Sequence, residues 1–286
     1  RYKAGLGPFL SNVHRVPFPY CYRCPIKLDP ATCGTACANL LSLVGEADIP
    51  PDRIAAVIVE PVLGEGGVVP APKAFLEEVR RYCDTHGIIF ITDEVQSGFG
   101  RTGAKFGLDH SGVTADLYVV GKAFSAGFPI AAVVGRSEIM DAMPPGGIGG
   151  TFSGNPVICA AGIAAIDIIE DENLMQRAAA IQSIARQEFS TLAERCSLVG
   201  DVRCIGALIG IELVTSRDSR APATDQAGRV VAAAARRGVI VGRGGLLRNV
   251  VRLLPPAVIP EDMLLSGLRI VSEAIEEVAG QEAARA

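Results

Sequence analysis

Short, almost unbroken apolar runs, separated by segments of helical spacing, constrain this chain more than any other feature. Ile54–Glu60, Ile88–Asp93, Leu117–Gly121 and Ile130–Val134 are each five to seven residues long. That is the length and texture of strands buried on both faces. Between the first two, Pro72–His86 places Phe75, Leu76, Val79, Tyr82 and Cys83 on one helical stripe and stops at Gly87, a residue that ends helices because it enters the left-handed region without strain. Strands alternating with helices predict an α/β domain with a mostly parallel sheet flanked by helices.

After Gly154 the texture changes. Asn155-Pro156 is a helix start, with Asn as cap and Pro in the first turn. Helical spacing runs to Glu170, and a second helix reaches about Glu194. A β-hairpin is expected over Leu198–Val214, a helix over Thr224–Arg237, strands at Val239–Val241 and Val250–Leu254, and a closing helix from Pro260. This reads as a smaller α+β C-terminal domain. The expected division is 1–175 and 176–286. Residues 1 to about 50 show little periodicity and many turn formers.

The chain is 49% apolar, with a formal net charge of −4 over 286 residues. It has material for a core, which excludes disorder as the dominant state, and no basic excess for nucleic acid or an anionic membrane. No apolar stretch approaches the roughly 18–20 residues of a membrane-spanning helix. The sequence starts at Arg1 and its first methionine is Met140, as expected of a fragment or a chain trimmed at its start; with no charged-then-apolar stretch to read as a signal peptide, a reducing cytoplasm is expected. Its eight cysteines are then read as thiols rather than a disulfide framework. Cys21, Cys24, Cys33 and Cys37 cluster, and an irregular loop is preferred there over a zinc knuckle; Cys83, Cys159, Cys196 and Cys204 are read as small core residues.

In open α/β sheets ligands collect beyond the carboxyl ends of the strands, and three of the runs end at or just before Glu60, Asp93 and Lys122. Of five lysines, against 22 arginines, Lys122 alone follows such a run. An amine held there is expected to be partly desolvated, with a lowered pKa, and so a competent nucleophile for an aldehyde; a phosphate or carboxylate partner is the plainer alternative. Asp93 would complement it by pairing with the ring nitrogen of a pyridine cofactor. The Gly-rich run Gly146–Gly154 opens a helix and offers backbone N–H groups and the Thr151 hydroxyl to an anion. Gly98–Gly103 matches GxGxxG in letters only, because Glu94–Ser97 intervene after the strand and no convincing helix follows.

At these residues the chain resembles the class III pyridoxal-phosphate-dependent aminotransferases of fold type I. The matching stretches are Glu60-Pro-Val-Leu-Gly-Glu65-Gly-Gly, Ile91-Thr-Asp93-Glu-Val-Gln96-Ser-Gly-Phe-Gly-Arg-Thr-Gly, Gly121-Lys122 and Gly150-Thr151-Phe-Ser-Gly-Asn-Pro, in the family's order and spacing. The likeness extends over nearly the whole chain and is greatest to 4-aminobutyrate aminotransferases. It implies pyridoxal 5′-phosphate as cofactor, no metal, and a homodimer with a shared active site. It further implies a ping-pong transfer from an ω-amino acid to 2-oxoglutarate. Lys122 would form the internal aldimine and shuttle the proton. Asp93 would pair with the pyridine nitrogen, Gln96 would contact the ring hydroxyl, and Thr151 would bind phosphate in the neighbouring subunit. Arg252 would hold the substrate carboxylate, and Glu65 would pair with Arg252 when the substrate lacks one at that position. Family members carry an earlier segment with a Gly-Ser-type phosphate loop and a ring-stacking aromatic, which is not found in these residues. A racemase or epimerase of the same family, or an inactive remnant, are the alternative readings.

Overall fold

The computed structural model describes residues 3–284. The first fifty residues carry short helical turns until α1 (Asn39–Ala47). That helix was not expected from the sequence. It is nine residues long, and no side chain caps its start, so neither length nor start signal announces it.

The first sheet and its connections follow as β1 (Ala56–Val59), β2 (Val62–Leu63), β3 (Val69–Pro70), α2 (Lys73–His86), β4 (Ile89–Asp93), β5 (Leu117–Val120), β6 (Ala132–Gly135) and α3 (Ser137–Met140). The strand order is β1-β4-β5-β6. β1, β4 and β5 run parallel, and β6 closes the edge antiparallel, as a mostly parallel sheet requires. β2 and β3 pair as a small separate hairpin. Helix α2 stops where Gly87 takes φ 67°.

The stripe of α2 (Phe75, Leu76, Val79, Tyr82, Cys83) packs with Phe90 of β4 and with Leu108. Asp116, just before β5, staples this layer. It accepts the Phe90 N–H at 2.8 Å and guanidinium N–H groups of Arg80 at 2.9 Å and Arg136 at 3.0 Å. Burial alone would push its carboxyl up; these donors outweigh it and hold the group below its ordinary value.

The strands are not buried on both faces, as their apolar texture suggests. Phe90 and Thr92 of β4 are buried, whereas Ile89 and Ile91 are half-buried. Ile58 of β1 is 59% exposed, and Val134 of β6 is 57% exposed. Helix α2 covers one face, and an apolar groove of about 670 Å³ runs along β1, lined also by Phe18, Leu41 and Val44.

The second half comprises α4 (Pro156–Asp171), α5 (Leu174–Arg195), β7 (Val199–Ile205), β8 (Leu208–Leu213), α6 (Thr224–Arg236), β9 (Gly242–Gly244), β10 (Val250–Leu253) and α7 (Glu261–Ala283). Its antiparallel sheet has the order β7-β8-β10-β9. Ala178, Ile181, Ala185, Phe189 and Leu192 of α5 form one stripe against this sheet, in a core shared with Val230 of α6 and Ile275 of α7. The strand expected at Val239–Val241 lies instead at Gly242–Gly244, because β10 pairs Val250 with Gly244 and Arg252 with Gly242. Of the four cysteines read as core, Cys83, Cys196 and Cys204 are buried, but Cys159 on α4 is half-exposed.

Asn155 caps α4, accepting the Val157 N–H at 3.0 Å and the Ile158 N–H at 3.4 Å. Asn155→Ala is expected to lower stability by about 1 kcal/mol, read as a lower denaturation midpoint with an unchanged fold.

Candidate active site

Because β1, β4 and β5 are parallel, their carboxyl ends share one edge. Glu60 follows β1, Asp93 ends β4, and Lys122 lies two residues past β5. The chain leaves β5 through an extended Gly121 and enters Lys122 at φ 49°. A left-handed lysine costs about 1–2 kcal/mol, and such strain concentrates at functional positions. The Phe124 N–H closes the turn on the Gly121 carbonyl at 3.1 Å.

Lys122 is exposed, so the desolvation expected of its amine is not found in this chain. The turn lies where the strands leave the sheet, and α4 backs its main chain at Phe124 without covering the amine.

Glu60 takes the Gly64 N–H on its carboxylate at 3.0 Å. Burial pushes the Glu60 carboxyl up; the Gly64 N–H and Lys122 oppose this, while Asp93 and Glu65 add to it. These four ionisable groups therefore share one electrostatic neighbourhood. Asp93 is half-buried and accepts the Val95 N–H at 3.1 Å.

The next residue, Glu94, is fully buried. It accepts the Gly107 N–H at 2.7 Å, the Leu108 N–H at 2.9 Å, the Ser97 hydroxyl at 2.6 Å and the Thr92 hydroxyl at 3.2 Å. It thereby folds residues 94–108 back onto the strand that carries Asp93. Sequence reasoning passed over Glu94; the signal was a second acid directly after a strand, followed by Ser and Gly, whose donors can satisfy it.

Gly64 gathers the rest. Its N–H serves Glu60 and its carbonyl accepts Arg252 Nη1 at 3.0 Å. Its Cα lies beneath Gln96, whose Oε1 would be 1.3 Å from a Cβ built there. Arg252, on β10 and 8% exposed, pairs with Glu65 at 2.8 Å. A Cβ at Gly244 would come within 2.6 Å of Arg252 Cδ and Nε, so only glycine leaves room for this side chain. Arg252 Nε is buried with no partner among the described residues.

Of the residues expected from the sequence, Lys122, Asp93, Gln96, Glu65 and Arg252 are thus drawn around the ends of β1, β4 and β5 and the loop after β1. Thr151 is not joined to them by any hydrogen bond among the described residues; it is exposed in the turn before α4. An amine and a carboxylate at neighbouring strand ends can hold an aldehyde-bearing heterocycle, and a buried arginine can take a carboxylate.

The aminotransferase class-III family model matches residues 1–275. The 4-aminobutyrate aminotransferase of Mycobacterium leprae is 42% identical over 95% of this chain and 61% of its own length. The leucine/methionine racemase of Thermococcus litoralis is 41% identical over 94% of this chain and 60% of its own. An amine transaminase from an uncultivated Pseudomonas species, solved in its PLP-bound form, superposes with TM-score 0.88 at 33% identity, over 98% of this chain and 64% of that one. The chain spans about three-fifths of the length of the curated relatives it matches. No helix among the described residues is long and apolar enough to cross a membrane.

Proposed function

This chain belongs to the class III aminotransferase family, and on that premise we propose that it transfers an amino group from an ω-amino acid such as 4-aminobutyrate to 2-oxoglutarate, by ping-pong exchange on pyridoxal 5′-phosphate. Its fold is that of the fold type I pyridoxal-phosphate transferases. The observation that carries the reading is the shared edge of Glu60, Asp93 and Lys122, with Glu60 linked through the Gly64 main chain to the Glu65–Arg252 pair.

The donor set fits the cofactor: an amine for the aldehyde carbon, a carboxylate for the ring nitrogen and an amide for the ring hydroxyl. When bound, pyridoxal phosphate supplies an electron sink for the carbanion formed at the substrate carbon. Lys122 Nζ anchors the group and then takes and returns the proton at that carbon. Asp93 keeps the ring nitrogen protonated, and Gln96 orients the ring. The exposure of Thr151, apart from the cluster, supports its serving the phosphate in the partner subunit of a homodimer.

Arg252 grips the substrate carboxylate. With an ω-amino acid bound, Glu65 stays on Arg252; with 2-oxoglutarate, Glu65 leaves and the guanidinium takes the carboxylate as a bidentate pair. Gly244→Ala, by pushing Arg252 aside, is expected to raise KM for 2-oxoglutarate about tenfold or more, with a smaller change for the amine. This effect corresponds to about 1.4 kcal/mol, and steady-state kinetics with each substrate varied in turn checks it. Gly64→Ala displaces Gln96, and it is expected to weaken cofactor binding with the fold retained, read by titration of the cofactor's absorbance.

The test of the proposal as a whole is to add pyridoxal phosphate, reduce with borohydride and map the modified residue, then assay glutamate formation from 4-aminobutyrate and 2-oxoglutarate. Modification at Lys122 together with glutamate formation supports transfer. An unmodified Lys122 overturns the reading and leaves an inactive remnant. The likeness to a racemase supports a second reading, which one enantiomer supplied without an oxo acid separates: inversion marks a racemase, inertness until 2-oxoglutarate is added marks transfer.

A further inference from the structure

The antiparallel sheet carries a row of which the chemistry above uses only one member. Arg203 of β7, Gly210 of β8 and Arg252 of β10 stand directly opposite one another on three neighbouring strands. Residues paired in this way share a face of the sheet. The loop 64–68, which carries Glu65, settles into the gap between the two arginines. A Cβ at Gly210 would lie 2.8 Å from the Gly67 carbonyl oxygen and 3.0 Å from Val68 Cβ, so the glycine is what lets the loop reach the sheet.

Both arginines grip this loop by its main chain. Arg252 Nη1 donates to the Gly64 carbonyl at 3.0 Å. Arg203 Nε donates to the Val68 carbonyl at 3.0 Å, and its Nη2 to the Gly67 carbonyl at 2.9 Å. Asp201 and Glu212 take Arg203 Nη1, so the fork is fixed in its aim, and the side chain is only 9% exposed. The loop needs such a hold. Val68 is buried and sits at φ 55°, a left-handed conformation rare for a β-branched residue, which persists only where its surroundings impose it. Within the loop the Gly67 and Val68 N–H groups both return to the Gly64 carbonyl at 3.2 Å. The end that Arg203 holds is thereby tied to the end beside Glu65.

We infer, on the reading of Arg252 as the carboxylate grip, that Arg203 is a positioning residue for substrate discrimination: by fixing Gly67 and Val68 over Gly210, it keeps Glu65 on Arg252. A loop already held loses less chain freedom when the Glu65–Arg252 pair forms, which favours the pair. A dicarboxylate must break that pair, whereas a substrate with no carboxylate at this position leaves it whole. Arg203 therefore biases the pocket toward the amine and against the oxo acid.

The test is calorimetric binding of glutarate to the whole chain, for the wild type, Arg203→Lys, Gly210→Ala, Glu65→Ala and the double variant Arg203→Lys/Glu65→Ala. Glutarate carries the two carboxylates of 2-oxoglutarate without its keto group, so neither cofactor nor turnover is required. Arg203→Lys keeps the charge beside Asp201 and Glu212 but loses the fork that spans two carbonyls. Gly210→Ala lifts the loop and leaves Arg203 in place. Each single variant is expected to bind glutarate about fivefold tighter, the upper end of what a half-exposed ion pair contributes. The double variant is expected to bind no tighter than Glu65→Ala alone. Damage to the fold would weaken binding, so a gain is specific to the release of Arg252. Unchanged or weaker binding in Arg203→Lys and Gly210→Ala, or gains that multiply in the double variant, overturns the inference. The expected pattern in a chain that forms no Lys122 adduct keeps the inference and removes only the transferase reading.

Discussion

Lys122→Ala is expected to take up no borohydride-reducible pyridoxal phosphate and to lose amine transfer by at least about 10²–10⁴-fold, the range that a positioned acid–base group contributes, with the covalent anchor lost as well. The structure makes the expectation specific to one residue. The chain has four other lysines. Lys73 pairs with Glu77 on the outer face of α2, and Lys105 pairs with Glu170; neither stands at a strand end. Lys105→Ala is therefore expected to keep the adduct. Intact mass after reduction reads the adduct directly, and this readout does not require turnover. A Lys122→Ala protein that retains the adduct, or full activity, removes the assignment of Lys122.

Much of this site was legible in the sequence because the features that build it are local. An apolar run that ends in Asp93, and another followed by Gly121-Lys122, state both the strand and the residue at its end. The cap at Asn155 and the stop at Gly87 are equally local, each set by one residue's backbone or side-chain preference. The exposed faces of β1 and β6 were not legible, because an apolar run states what a strand can bury and not what covers it. The strand at Gly242–Gly244 was missed because its partner fixes the register: β10 pairs with Gly242 and Gly244, and Gly244 leaves room for Arg252, against the β-branched Val239–Val241. Glu94 and Glu212 escaped notice for another reason. Only Thr92 and Ser97 lie beside Glu94 in the sequence. Its backbone donors at Gly107 and Leu108, and the partners of Glu212 at Arg203, Asn249, Arg23 and Tyr20, come from other segments, which a local reading does not bring together.

Glu212→Ala is expected to destabilise the fold by about 3–5 kcal/mol, the cost of removing one member of a buried ionic network and leaving its partners unpaired. The Glu212 side chain is fully buried on β8 and accepts from Tyr20 Oη, Arg23 Nε, Arg203 Nη1 at 2.8 Å and Asn249 Nδ2 at 3.3 Å. These partners join the early loop to the antiparallel sheet, and Arg203 reaches on to the Gly67 carbonyl at 2.9 Å. Burial alone would push the Glu212 carboxyl up. The Tyr20 hydroxyl and the Arg203 and Arg23 guanidiniums outweigh it and hold the group below its ordinary value. A depressed carboxylate binds fewer protons in the folded state than in the unfolded one, so its contribution is fully present above the ordinary carboxylate pKa of about 4.3. That contribution is lost as pH falls from there through the lower folded value. The wild-type chain should therefore lose stability across that acid window more steeply than Glu212→Ala, and the two denaturation midpoints should converge at the acid end. Glu212→Gln keeps one acceptor but turns an N–H toward donors, so it is expected to fall between them at neutral pH. Denaturant melts of the three proteins at several pH values decide the matter: parallel acid slopes would mean that Glu212 does not carry this charge coupling.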